Sequence, residues 1–192
     1  MQLSSNQSYQ SLKPADRLQQ LLPELFTSQT IEGEQFLRLQ LTSELTVAIP
    51  LSWVEETLLV SPQQITPIPN MSSHVMGLMS SKGQVFWAIN LLQLLNLPIA
   101  LPSSQHYEVV VIRVLPLEPV TNIASEQLFL GLVVPKIRGS IRLTLEDIVS
   151  PETEIDINLL RYLSGQVVVD QQTILVLSAE VIGTSQHPAL DR

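Results

Sequence analysis

The 192 residues carry 18 Asp and Glu against 10 Lys and Arg, a net charge of −8, and the sequence has no local basic run; nucleic acid and anionic membrane surfaces are therefore unfavourable partners. The absence of cysteine excludes a disulfide framework, a Cys-based zinc site and a catalytic thiol. Charged residues make up only 15% of the chain, and the uncharged polar residues in their place suit a surface that docks onto other proteins, on a chain long enough to bury a core unaided.

In chain order, residues 1–33 read as an extension ahead of a β domain. Its start, MQLSSNQSYQSLK, lacks the basic and apolar stretches of a secretory signal, so a cytoplasmic location is expected. Pro14-Ala-Asp-Arg-Leu opens a predicted helix with proline in the first turn. Leu18, Leu21, Leu22 and Leu25 follow the i, i+3, i+4, i+7 rule and form one apolar stripe, which either packs on its own domain or docks a partner.

From Phe36 the period changes to two. Leu37, Leu39 and Leu41, then Leu45, Val47 and Ile49 after the turn at Thr42-Ser-Glu, predict a β-hairpin. Further strands are predicted at 53–60, 75–79, 84–89, 108–115, 127–134, 139–143, 166–169 and 173–177. Many short strands with little helix between them point to small barrels rather than a parallel α/β sheet. Gly83 to Tyr107 carries no formal charge and imitates a membrane span, but Asn90, Gln93, Asn96 and Pro98 interrupt it and no Lys/Arg cluster flanks it, so no membrane insertion is expected.

Two segments repeat one order: glycine, strand, turn, apolar strand, capping residue, short apolar helix. They run from Gly77 through Asn90 and from Gly165 through Ser178, and the glycine-to-cap interval is 13 residues in both. Asn90 and Ser178 are good N-caps, and the chain reads as a duplicated hairpin-plus-helix unit.

Catalysis requires convergent groups, and few are available. His74, His106 and His187 stand far apart in apparent loops or near the terminus, and no HExxH, HxH, G-x-S-x-G, GxGxxG or phosphate-loop pattern is present. The pairs Glu55-Glu56, Glu146-Asp147 and Glu154/Asp156 could supply carboxylates for acid/base work or hard metals. Adjacent carboxylates on a strand point to opposite faces, however, and a solvated face is the better reading. Glu146-Asp147 reads as the opening of a turn or short helix.

Val75-Met-Gly-Leu-Met-Ser-Ser-Lys-Gly-Gln-Val-Phe-Trp-Ala-Ile-Asn-Leu resembles the signature of CheW-like coupling proteins, G-x-x-N-x-R-G-x-x-x-P-x-x-D-L. Gly77, Gly83 and Leu91 are in place, while Ser80, Lys82, Trp87 and Asn90 replace Asn, Arg, Pro and Asp. Phe36-Leu-Arg-Leu-Gln-Leu resembles the family's opening strand, Val47-Ala-Ile-Pro-Leu-Ser-Trp-Val-Glu-Glu its next segment and Ile65-Thr-Pro-Ile-Pro-Asn-Met its loop before the signature. Gly131-Leu-Val-Val-Pro-Lys-Ile resembles the second-half G-x-x-V-D-x-V, with Pro135 for Asp. Tyr162-Leu-Ser-Gly and Thr173-Ile-Leu-Val-Leu resemble the closing glycine and strand.

The resemblance implies a mainly β fold over residues 34–183, two intertwined five-stranded SH3-like barrels with short helices and a shared apolar interface, followed by a tail at 184–192. It implies no enzymatic activity, no cofactor and no metal. The implied partners are the regulatory domain of a CheA-like histidine kinase and the cytoplasmic tip of a methyl-accepting chemoreceptor or photoreceptor. The Pro-x-Met loop with Trp87 is similar to a branch serving type IV pilus motility or phototaxis. Carried over by residue, Val54 and Glu56 match a partner-contacting strand. Lys82 stands where an arginine supports partner binding, keeping the charge without the planar fork. Ile141 falls at an apolar position near the family's interfaces, and Gly77 and Gly165 match turn or close-packing glycines. Val54 and Ile141 suit core and interface equally. Two rival readings stay open: a diverged small-ligand-binding β-barrel with a pocket lined by Glu55, Glu56 and a histidine, and a degenerate adaptor that competes with a better coupling protein and damps signalling.

Overall fold

The structure, a computed structural model, describes residues 32–114, 128–151 and 155–185. The predicted helix with its leucine stripe, His187, Glu154 and the strand ends at Leu115 and Gln127 lie outside the described residues. The strands are β1 Glu34–Gln40, β2 Thr46–Pro50, β3 Val54–Val60, β4 Val75–Ser81, β5 Gln84–Asn90, β6 Tyr107–Val114, β7 Leu128–Val134, β8 Lys136–Leu143, β9 Leu163–Val169 and β10 Gln172–Leu177. Three short helices accompany them, α1 Leu91–Leu94, α2 Ile157–Leu160 and α3 Ala179–Ser185.

They form two five-stranded sheets, β8-β1-β2-β10-β9 and β3-β6-β7-β5-β4. Each sheet takes its first hairpin from one half of the chain and its last three strands from the other. The hairpin β1–β2 joins β8, β9 and β10, while β6–β7 joins β3, β4 and β5. The repeat legible at Gly77 and Gly165 is thus the end of a five-strand-plus-helix unit, and the two copies exchange strands. Parallel pairs stitch the halves in equivalent places, β2 with β10 and β7 with β5.

Closure is equivalent too. The chain leaving β3 returns so that Thr66 bridges Leu78 on the far edge of its sheet, and the chain leaving β8 returns so that Val149 bridges Gln166. Each sheet thereby closes into a small barrel and covers part of its own edge. At both bridges the preceding residue is a glycine, and the reason is steric. A Cβ on Gly77 would lie 2.1 Å from the Thr66 carbonyl oxygen, and one on Gly165 would lie 2.4 Å from Ile148 Cγ2.

The largest core lies between the barrels and draws on both. Leu37, Leu39, Val47 and Ile49 of one sheet meet Ile89, Val110, Ile112 and Leu132 of the other. Separate interiors fill each barrel, Phe36, Ala48, Ile174 and Val176 in one and Met79, Phe86, Val109 and Phe129 in the other. The predicted apolar face of the first hairpin is buried as expected, but Phe36 and Ala48 on the opposite face are buried as well. The sheet lies between a shared core and its own barrel interior, so simple alternation gives only half of its burial. The turn at Thr42 is held by its hydroxyl, which accepts from the Glu44 and Leu45 amides.

β8 begins three residues before its predicted start. Lys136, Arg138 and Arg142 are exposed, and this composition suits an edge strand although it masks the apolar period. The uncharged stretch from Gly83 to Tyr107 is β5, α1 and a connecting loop, and no helix among the described residues is long and apolar enough to cross a membrane. Both predicted caps form. Asn90 Oδ1 accepts from the Leu92 amide at 3.1 Å, and Ser178 Oγ accepts from the Val181 amide at 3.3 Å.

Candidate functional site

β3 is an edge strand, and its sequence Val-Glu-Glu-Thr-Leu-Leu-Val alternates half-buried with exposed positions. A register shift against β6 falls between Val54 and Glu56, the kind of bulge that re-aims side chains at an edge. Val54 packs on the shared core, while Glu55 points out and pairs with Arg113 at 3.1 Å. Glu56 lies on the other side, as alternation requires, and meets the β4–β5 turn.

That turn is Lys82-Gly83, closed by the Ser81–Gln84 pair, with φ of 48° and 79°. Two successive left-handed residues define the tight hairpin whose twist matches the strands. Lysine accepts this backbone less readily than asparagine or glycine, yet here it carries its ammonium to the neighbouring edge. Lys82 Nζ lies 2.7 Å from Glu56 Oε2, and the Ser81 hydroxyl donates to Glu56 Oε1 at 2.6 Å. The carboxylate is tucked in, with 15% of its side chain exposed, while the lysine side chain is 68% exposed. The bridge therefore adds little stability, but it sets a fixed pair of charges at the barrel rim. The hydrogen bond from Lys82, then that from Ser81, holds the Glu56 carboxyl below its ordinary pKa against the opposing effect of burial. The same contact raises Lys82.

The structure brings four of the six predicted residues, Val54, Glu56, Gly77 and Lys82, onto the β3–β4–β5 side of one barrel. Ile141 and Gly165 belong to the other barrel: Ile141 is half-buried opposite Phe36, and Gly165 lies beneath the Val149 crossing. Gly77 and Gly165 are both buried, so each can act on a surface only through the backbone path it permits.

Sequence reasoning saw Glu56 and Lys82 separately and did not pair them, and it gave Ser81 no role. The missing information was the approach of β3 to the β4–β5 turn, which depends on barrel closure. The reading of Glu55-Glu56 as a purely solvated pair is corrected accordingly, since each carboxylate has its own cation. A second polar join is Glu108, whose Oε1 meets Lys136 Nζ at 2.6 Å and whose Oε2 accepts from the Ile137 amide at 2.6 Å. Partial burial pushes this carboxyl up, but the two hydrogen bonds and the lysine charge outweigh that and leave it below its ordinary pKa. Glu108 thus secures the chain just after Pro135, where it leaves one sheet for the other.

The described histidines and the remaining acidic residues lie apart from the Glu56 site. His106 is exposed in a loop, and His74 is half-buried and offers its carbonyl to the Asn90 amide at 2.8 Å. Asp147 is occupied in capping Thr144, and Asp156 caps α2. Among the described residues no group of three or more His, Asp or Glu is placed to hold a metal.

The family model for the CheW-like domain matches residues 35–187. Among solved structures, the scaffolding protein TtCheW from Thermoanaerobacter tengcongensis superposes with a TM-score of 0.65 at 15% identity, over 83% of this chain and 99% of that one. No curated protein matches the chain in sequence.

Proposed function

The chain belongs to the CheW-like domain family, and from that membership we propose that it is a non-enzymatic cytoplasmic adaptor joining a methyl-accepting receptor to a CheA-like histidine kinase. The observation that carries the proposal is the family match over residues 35–187, with a fold shared with a protein described as a scaffold. In this reading the kinase regulatory domain docks along the β3 edge and the β4–β5 turn, where Val54, Glu56 and Lys82 present an apolar side chain and two fixed charges. Gly77 keeps the Thr66 crossing in place beneath that surface. Gly165 and Ile141 hold the corresponding surface of the second barrel, which is left for the receptor tip. The stimulus belongs to the pilus-motility or phototaxis branch.

Two of the signature departures keep the local structure, which a working adaptor needs and a degenerate competitor also permits. Asn90, in place of aspartate, still caps α1, and Lys82, in place of arginine, still reaches Glu56. Neither departure disturbs the fold around the site. A pocket lined by Glu55, Glu56 and a histidine would favour the ligand-barrel alternative, and the carboxylates here are paired with Arg113 and Lys82.

A pull-down from the soluble extract of the source cell tests the proposal, with Lys82→Glu as the control. Recovery of a CheA-like kinase and a receptor, with the kinase reduced in the control, is the expected result. Recovery of kinase without receptor would select the degenerate competitor, and recovery of neither would sink the adaptor reading.

A further inference from the structure

The mouth of the second barrel holds chemistry that the adaptor reading leaves unused. β1 and β8 are far apart in sequence but paired in the sheet, and together they carry Arg38, Lys136, Arg138 and Arg142, four of the chain's 10 Lys and Arg residues. Two of these are committed elsewhere: Lys136 to Glu108, and Arg142 to the Gly33 carbonyl at 2.7 Å. Arg38 and Arg138 instead line a cleft of about 720 Å³ together with Gln40, Thr46, Thr173 and Glu44.

The location follows from the strand period. Phe36 and Ala48 fill the barrel interior, and on the same face stand Arg38, two residues after Phe36 and directly opposite Ala48, and Thr46, two residues before Ala48. The cleft is therefore the polar continuation of an apolar barrel interior, a common place for a small-molecule site and of suitable volume. Arg138 Nε donates to Gln40 Oε1 at 2.6 Å, which holds that guanidinium at the mouth. The Arg38 Nε is buried and, among the described residues, has no hydrogen-bond partner. Neither arginine has a carboxylate within ion-pair distance among the described residues, although Glu44 lines the same cleft. A buried donor without an acceptor is unfavourable, and the same Arg38 side chain lines the cleft, where an acceptor can reach its guanidinium.

We propose that the second-barrel mouth binds a small phosphate-bearing ligand, with the Arg38 and Arg138 guanidiniums on the phosphate oxygens and the Thr46 hydroxyl donating beside them. Planar guanidinium forks match a tetrahedral oxyanion better than a single point charge does. An extended polyanion is disfavoured, because the flanking Lys136 and Arg142 are engaged and Glu44 faces the cleft. The net charge of −8 opposes non-specific anion binding, so phosphate held here is held locally. The site lies in the opposite sheet from Glu56 and Lys82, and its failure would leave the adaptor proposal untouched.

The test is a titration of the full chain with inorganic phosphate, followed by amide NMR shifts at constant ionic strength. Saturable shifts centred on Arg38, Gln40, Arg138 and Thr173 are expected. Arg38→Gln and Arg138→Gln should each weaken binding tenfold or more. Arg38→Lys should also weaken it, while Lys82→Ala leaves it unchanged. Acetate should bind at least tenfold more weakly than phosphate. If Arg38→Gln does not fold, Arg138→Gln, on an exposed strand position, decides alone. Shifts that never saturate, phosphate binding that survives in folded Arg138→Gln, or acetate binding as tight as phosphate would each overturn the proposal.

Discussion

Replacing Gly77 with alanine probes the barrel closure beneath the candidate site. The backbone there has φ of 145°, a region nearly closed to residues with a Cβ, and forcing alanine into it costs about 1–3 kcal/mol. The new Cβ would also lie 2.1 Å from the Thr66 carbonyl oxygen, and the crossing chain must retreat. Its retreat removes two hydrogen bonds, Thr66 N to Leu78 O at 2.7 Å and Leu78 N to Thr66 O at 2.9 Å, each worth about 1 kcal/mol net. The sum is about 3–5 kcal/mol, or a fall in Tm of roughly 10 °C for a domain of this size. Gly83→Ala is the matched control. It also has positive φ, at 79°, but a Cβ there meets nothing within 4 Å, so it loses only the backbone part, about 1–2 kcal/mol. Both variants stiffen the unfolded chain alike, and that effect cancels. Urea unfolding of the three proteins gives the comparison. A Gly77→Ala loss within about 1 kcal/mol of the Gly83→Ala loss would refute the steric account.

Three further outcomes follow from the same geometry. The Glu56 carboxyl should titrate below an ordinary glutamate by carboxyl NMR and move back toward it in Lys82→Ala; because its folded pKa is depressed, its contribution to stability is present above the unfolded pKa and fades as pH falls through the folded one. Asn90→Ala removes a buried cap and should cost about 1–2 kcal/mol, more than Ser178→Ala at a half-buried cap, as read from denaturant midpoints. Because the main core joins both sheets, fluorescence of Trp53 and Trp87 and far-UV circular dichroism should report a single unfolding transition, and Leu132→Ala at its centre should shift both probes together by about 3–4 kcal/mol.

Much of the fold was legible because its signals are local. The Leu37–Leu39–Leu41 alternation, the Thr42 turn, the Asn90 and Ser178 caps and the Gly77 and Gly165 interval each depend on neighbours within a dozen or so residues. What could not be read depends on pairings made far along the chain. The exchange of β3 and β8 between sheets leaves no local mark, so the contact of Glu56 with Lys82 and Ser81 was missed. So was the gathering of Arg38 with Arg138, which is separated from Gln40 by 98 residues in sequence yet hydrogen-bonded to it. The start of β8 was hidden by its charged edge residues, and the burial of Phe36 by the second core on the other side of its sheet.

The central claim is that one chain holds kinase and receptor together. Analytical ultracentrifugation of the purified protein with a CheA-like regulatory domain and a receptor signalling tip, mixed pairwise and together, tests it directly. The adaptor account predicts two binary complexes and a ternary complex that forms only when this chain is present, with kinase binding weakened at least tenfold by Lys82→Glu. Mutually exclusive binding, or no complex with either partner, would contradict it.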